Sequence, residues 1–139
     1  RKFARVDVVV SAEDALPDIA LGADDATQIL VNLLLNAAQA MDGAGRVEIR
    51  ARAVESWRPA LGVVERPAVE ISVADTGPGV PDEIADRIFD PFFTRRRAGG
   101  GSGLGLAICQ SICERAGAEI DLDRDRDRGA RFVVTAPRA

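Results

Sequence analysis

The stretch NLLLNAAQAM at residues 32–41 decides how the rest of the chain is read, as the second half of a helix that starts near Asp24. At about 100° per residue, Gln28, Asn32, Asn36 and Gln39 fall within roughly 80° of one another. Ala26, Ile29, Leu30, Leu33, Ala37 and Met41 line much of the remainder. Surface stripes on globular helices usually carry Glu, Lys and Arg, so four uncharged amides in register point to a face that meets something other than bulk water. An amphipathic core helix with an incidentally polar outer face is the other reading of this stretch taken alone.

A chain of 139 residues makes one domain, large enough to bury a core of its own. A net charge of -4 and a pI near 4.9 give no footing for nucleic acid or an acidic membrane surface, so any phosphate has to be met locally. No apolar run reaches the length of a membrane span, and nothing marks a signal peptide, so a soluble, cytoplasmic domain is expected, whatever anchors its parent. Cys109 and Cys113 stand four apart on one predicted helix, where reduced cysteine packs as a small apolar residue. Two cysteines without any histidine do not supply a zinc ligand set. Three absences exclude more than any average does. The chain has no histidine, no tyrosine, and a single lysine, Lys2. Imidazole cannot serve as base, nucleophile or phosphoacceptor, and the lysines required by phosphate-loop NTPases and eukaryotic-type protein kinases are missing.

Outward from the central helix, residues 6–10 form a β-branched run and residues 19–21 a second short apolar one, which predicts two strands. Gly22, Asp24 and Asp25 give the helix a start with negative charge where its dipole favours it, and Asp42 and Gly43 end it. Residues 46–53 and 68–74 alternate apolar and polar as half-buried strands do, with 54–67 as a long connection to which no function attaches. Residues 75–79 read DTGPG, and Pro81 to Glu83 open a short helix. Residues 89–103 lack any period and contain FDPFFT, three arginines and a run of glycines, the composition of a lid. Helical spacing resumes over 104–116 with Gly117 as its C-cap. Strands at 119–122 and 132–135 follow, joined by an Asp/Arg-rich hairpin tip.

Asp75 shares the parity of Val69, Ile71 and Val73, so it points from its strand toward the face those residues bury. It is either a ligand for something polar or a turn-former bonding the amides that follow it. Gly77 and Gly79 permit a close approach of backbone to a flat ligand. Glycines leading directly into the helix at 104 leave free amides and a positive helix end for a phosphate, or else make a mobile linker with a cap. A dinucleotide fingerprint does not fit, since no strand precedes these glycines and no three of them have its spacing.

The order NLLLNAAQAM, DTGPG, FDPFFT, GSGLGLAI closely resembles the N, G1, F and G2 boxes of the catalytic ATP-binding domain of sensor histidine kinases. The resemblance runs from about Asp24 to Pro137, and its wording is most similar to the nitrogen-regulation sensor subgroup. It implies an α/β (α+β) two-layer sandwich of the Bergerat type, a mixed, mostly antiparallel sheet covered on one face by helices, with ATP and Mg²⁺ between the helix layer and a flexible lid. It further implies that Asn36 binds Mg²⁺ and that Asn32, a turn earlier, faces the phosphates together with Gln39. Asp75 would accept the adenine amino group, with Gly77 and Gly79 at the ring. Gly101, Ser102, Gly103, Leu104, Gly105 and Leu106 would form the phosphate-facing lid end, Phe89, Phe92 and Phe93 its hydrophobic anchor. Arg96 stands where the subgroup often has lysine, Gln39 where many members have a basic residue, and Ala130 where a Gly-Thr pair is usual.

The implied chemistry is transfer of the ATP γ-phosphoryl group to a histidine on a separate dimerisation domain of the same parent, and onward to a response-regulator receiver. Residues 1–139 are then the catalytic domain of a longer chain, without direct contact to nucleic acid or membrane. Superfamily ATPases of the gyrase, chaperone and mismatch-repair type are one rival, but their water-activating glutamate falls at Asn32 here, and an amide is no general base. A nucleotide-sensing module without transfer activity is the other.

Overall fold

The computed structural model describes residues 5–60, 62, 64–93, 104–124 and 128–139. Five strands, β1 (Arg5–Ala12), β2 (Ala44–Trp57), β3 (Arg66–Asp75), β4 (Glu119–Leu122) and β5 (Arg131–Pro137), form one sheet in the order β1-β2-β3-β5-β4. Among the described residues only the β1/β2 pair is parallel; the other three ladders are antiparallel. Helices α1 (Ala23–Ala40), the single turn α2 (Asp82–Ala85) and α3 (Gly105–Ala116) complete the element order. The mixed, mostly antiparallel sheet with a helix layer is the architecture expected from the sequence.

The layers follow from strand parity. Val47, Ile49, Ala51 and Ala53 stand opposite Asp75, Val73, Ile71 and Val69, and the last three of these stand opposite Phe132, Val134 and Ala136. This face meets Ile29, Leu33, Ala37 and Met41 of α1 and Cys109, Ile112 and Cys113 of α3 in one core. Leu33, Val47, Cys109 and Val134 are all at most 1% exposed, which fixes α1 rotationally, so the carboxamide stripe points away from the sheet. The opposite sheet face carries charge. Glu70 accepts from Arg52 at 3.1 Å and from Arg131 at 3.4 Å, and Arg131 also reaches Asp123 at 3.1 Å. Small residues beneath these long side chains, Ala68 and Ser72, are therefore buried on a face that, among the described residues, no helix covers.

Two expectations change. The strand at 19–21 is only an isolated bridge between Ile19 and Arg138. Pro17 precedes it, Gly22 follows it, and its partner β5 ends at Pro137, which offers Ala20 a carbonyl at 2.8 Å but has no N–H to continue a ladder. The connection placed at 54–67 shrinks, because β2 runs on to Trp57 past a register shift and pairs it with Arg66. The remaining link folds back to β4, where the Ala60 amide donates to Glu119 at 2.6 Å. Gly117 does close α3: at φ 72° it lets the Ala118 amide reach the Cys113 carbonyl at 2.8 Å.

Candidate functional site

Asp75 lies at the end of the central strand and is 3% exposed. Its Oδ1 accepts from the Gly77 amide at 2.8 Å and from the Ala130 amide at 3.2 Å, while the Asp75 amide donates to the Ala130 carbonyl at 2.9 Å. Both of these carboxylate bonds end on one oxygen. The turn-forming reading of Asp75 is therefore met by this oxygen. The sequence reading missed the residue that makes this possible. Gly129, at φ 69°, lies so close that a Cβ on it would stand 1.9 Å from the Asp75 carbonyl oxygen, and only glycine fits. Gly79 repeats the theme at φ 83°, with the Gly129 carbonyl oxygen 2.9 Å from where its Cβ would be. Two glycine turns and one carboxylate are clamped together by backbone alone.

Helix α1 connects this corner to the other end of the site. At its C-terminal end, Met41 Cγ stands 3.2 Å from a Cβ on Gly77, and the Thr76 hydroxyl donates to Met41 Sδ at 3.4 Å. Further up the same helix, Asn32 Oδ1 stands 3.8 Å from a Cβ on Gly105, the first residue of α3. Asn32 and Met41 are nine residues apart, roughly 14 Å along a helix, with Asn36 and Gln39 on the polar stripe between them. The second half of α1 therefore runs from Asn32, at mid-helix beside the first residue of α3, to its C-terminal end beside the Asp75 turn, a span of roughly 14 Å. Asn32, Asn36 and Gln39 are half-buried, whereas Gln28, a turn beyond, is exposed. The Asn32 Nδ2 atom is buried without a well-formed hydrogen bond, and its side chain lies close enough to the Cys109 thiol to bias the ionisation of that group.

The aromatic residues divide. Phe89 meets Phe132 edge-on with ring centroids 6.1 Å apart, and Arg87 lies 4.8 Å over the Phe93 ring. Phe92 is 71% exposed at φ 65°, so of the three phenylalanines expected as an anchor only Phe89 and Phe93 pack against the core. Leu104 is the N-cap residue of α3 and Leu106 packs against the core. Arg96, Gly101, Ser102 and Gly103 lie outside the described residues. Among the described residues no cluster of three acidic, cysteine or histidine side chains could hold a metal by itself. The neutral Asn36 carboxamide suits Mg²⁺ only in company with phosphate oxygens and water, which is how that ion is commonly held.

Comparison with known proteins decides the family. The profile described as "Histidine kinase-, DNA gyrase B-, and HSP90-like ATPase" matches residues 22–139. The chain belongs to this family. It is 37% identical over 127 residues to sensor histidine kinase ZraS of Escherichia coli O157:H7, covering 91% of this chain and 25% of that protein. It is 38% identical over 108 residues to the sensory histidine kinase/phosphatase NtrB of Rhodobacter capsulatus, covering 76% of this chain and 30% of that protein. The chain thus spans about a quarter of the curated relatives it matches. Among solved structures, the catalytic domain of histidine kinase ThkA superposes with a TM-score of 0.76 at 28% identity, covering 96% of this chain and 79% of that one. A ThkA structure in complex with its response regulator TrrA matches at 27% identity, 96% of this chain, 34% of that one and a TM-score of 0.72.

Proposed function

We propose that this domain binds Mg·ATP along the polar stripe of α1 and donates the γ-phosphoryl group to a histidine on a separate dimerisation domain of its parent, from which a response regulator receives it. The observation that carries the reading is the second half of α1, with the Asp75 turn beside its C-terminal end and Asn32, at mid-helix, beside the start of α3. Adenine meets Asp75, whose second oxygen accepts the exocyclic amino group, while Gly77 and Gly79 admit the ring. The triphosphate runs along Gln39, Asn36 and Asn32 to the amides of Leu104, Gly105 and Leu106, where the α3 dipole is positive and no acidic residue stands in the first turn. Bound Mg²⁺, held by Asn36 and phosphate oxygens, would neutralise phosphate charge. Arg96, Gly101, Ser102 and Gly103 complete the lid side.

Phosphoryl transfer asks the protein mainly for positioning and charge stabilisation, which a set of amides and backbone N–H groups can supply. Asn32 favours transfer to a protein acceptor over hydrolysis, because its carboxamide cannot deprotonate water. Residues 1–139 then act as the catalytic part of a longer, cytoplasmically exposed protein; among the described residues no helix is long and apolar enough to cross a membrane. The test is a pair of assays. The chain alone should bind Mg·ATP by calorimetry and acquire no acid-labile label, having no histidine. Mixed with the dimerisation helices of its parent, it should label them on histidine. ATP hydrolysis unaffected by those helices, with no label, would favour the ATPase reading.

A further inference from the structure

The contact between α1 and α3 holds polar atoms inside the core. Ile29 and Asn32 are three residues apart on α1, and Gly105 and Cys109 are four apart on α3, so each pair lies on one face of its helix. Cys109 is fully buried, and its thiol donates to the Ile29 carbonyl at 3.8 Å. A thiol is both a weak donor and a weak acceptor, so with its proton turned to Ile29 the sulfur still offers lone pairs. The Asn32 Nδ2 atom is buried without a well-formed hydrogen bond. Its side chain lies beside the thiol: burial raises the pKa of Cys109, and Asn32 lowers it, as a donor directed at sulfur does. The other end of the amide looks elsewhere. Asn32 Oδ1 stands 3.8 Å from the Cβ position of Gly105, where α3 begins.

We propose that Cys109 is a positioning residue, whose sulfur accepts from Asn32 Nδ2 and thereby turns the Asn32 oxygen toward the start of α3. A carboxamide has two orientations that exchange O and N, and shape alone hardly separates them. Chemistry separates them here. Turned the other way, Oδ1 would face a sulfur whose one proton is directed to Ile29, and lone pair would meet lone pair. Cys109 thus decides whether Asn32 shows an acceptor or a donor to what enters along the polar stripe of α1. The consequence rests on the function proposed above and is a preference between two forms of the nucleotide. An outward oxygen accepts from water carried by Mg²⁺, an ion that usually keeps several waters, and it repels the bare oxygens of a free triphosphate. An outward amide nitrogen would do the reverse. A core cysteine with no surface of its own would in this way contribute to the metal dependence of ATP binding.

Two measurements on residues 1–139 test this, one without nucleotide and one with it. In the nucleotide-free protein, the side-chain amide protons of Asn32, followed by nuclear magnetic resonance, should exchange with solvent slowly in the parent. In Cys109→Val, where the amide can turn outward, they should exchange at least about tenfold faster. Cys109→Ala gives the same reading without a branched side chain in the helix contact, and Cys109→Ser, which keeps an acceptor there, should restore slow exchange. In calorimetry, the ratio of ATP affinity with Mg²⁺ to that with a chelator should fall in Cys109→Val by roughly 2- to 12-fold, the worth of one neutral hydrogen bond. Cys113→Val, the same change at a similarly buried thiol one turn on, should leave both the exchange rate and the ratio as they are. Asn32 exchange that is equal in the parent and in the valine and alanine variants would overturn the proposal, since a cysteine that only fills space has no hold on the amide. A ratio lowered as much in Cys113→Val would overturn it too, by tracing the effect to looser helix packing. A parent that binds no nucleotide would remove the function proposed above and leave the exchange rates to decide the orientation.

Discussion

Asp75 holds a turn, and the proposed function gives the same carboxylate a second role at the adenine; the two can be separated by chemistry. In Asp75→Asn, Oδ1 still accepts from Gly77 and Ala130, so the turn survives, while the other atom becomes a donor facing the adenine amino group. A hydrogen bond to a charged group is worth about 1.5–3 kcal/mol, so ATP affinity should fall roughly 10- to 150-fold with the melting temperature little changed. GTP, which has a carbonyl oxygen at that position, should lose less. Titration of both nucleotides against parent and variant checks this; a folded variant with unchanged ATP preference would place base recognition elsewhere. Gly129→Ala should act on the fold itself. Its Cβ collides with the Asp75 backbone and its φ is in the left-handed region, so urea unfolding should show a loss of about 2 kcal/mol or more. Asp75 was legible in the sequence from strand parity and the glycines beside it. Gly129 was not, because its meaning comes from a contact with a residue far back in the chain, and locally it closes an ordinary hairpin tip.

At the scale of elements, α1 was the most legible because its periodicity runs over eighteen residues, and of its buried positions Ile29, Leu33 and Ala37 are those the spacing assigned, while Ala38 is not. The edges of the sheet were less so. Pro137 and Gly22 limit residues 19–21 to one bridge, while the far end of the β2/β3 hairpin, polar and half-exposed, hides its pairing from any alternation test. The lid reading rests on composition, and residues 94–103 that carry it lie outside the described structure. Helix α1 also predicts how its two faces fail. Leu33→Ala, at a position 1% exposed and central to the core, should cost about 2–5 kcal/mol and weaken nucleotide binding only through unfolding. Asn36→Ala should leave stability within about 0.5 kcal/mol and lower ATP affinity chiefly when Mg²⁺ is present. Calorimetric titrations with magnesium and with a chelator distinguish the two, and equal losses in both conditions would make Asn36 a structural residue.

The whole molecule has a composition that makes one of its properties unusually easy to read. With no tyrosine and only Lys2 among lysines, almost nothing titrates between the ordinary histidine range and that of arginine except the two thiols of α3. Both are inside the core. Burial pushes Cys109 up to about 11, opposed by the neighbouring Asn32 side chain, and pushes Cys113 up to about 12, helped by the charges of Cys109, Asp121 and Glu114. A thiol is neutral when protonated, so the folded state holds these protons after the unfolded chain has released them. Stability linked to the pair is then fully present below pH 9 and drains away as the pH rises toward 11 and 12. The melting temperature of the parent should fall over that window, and a Cys109→Val, Cys113→Val variant should fall distinctly less, because valine fills much of the same space and has no proton to lose. Scanning calorimetry in steps from pH 8 to 11 measures the difference between the two slopes. Parallel curves would mean that the thiols ionise in place without disturbing the core, and that the contact between α1 and α3 is looser than their burial indicates.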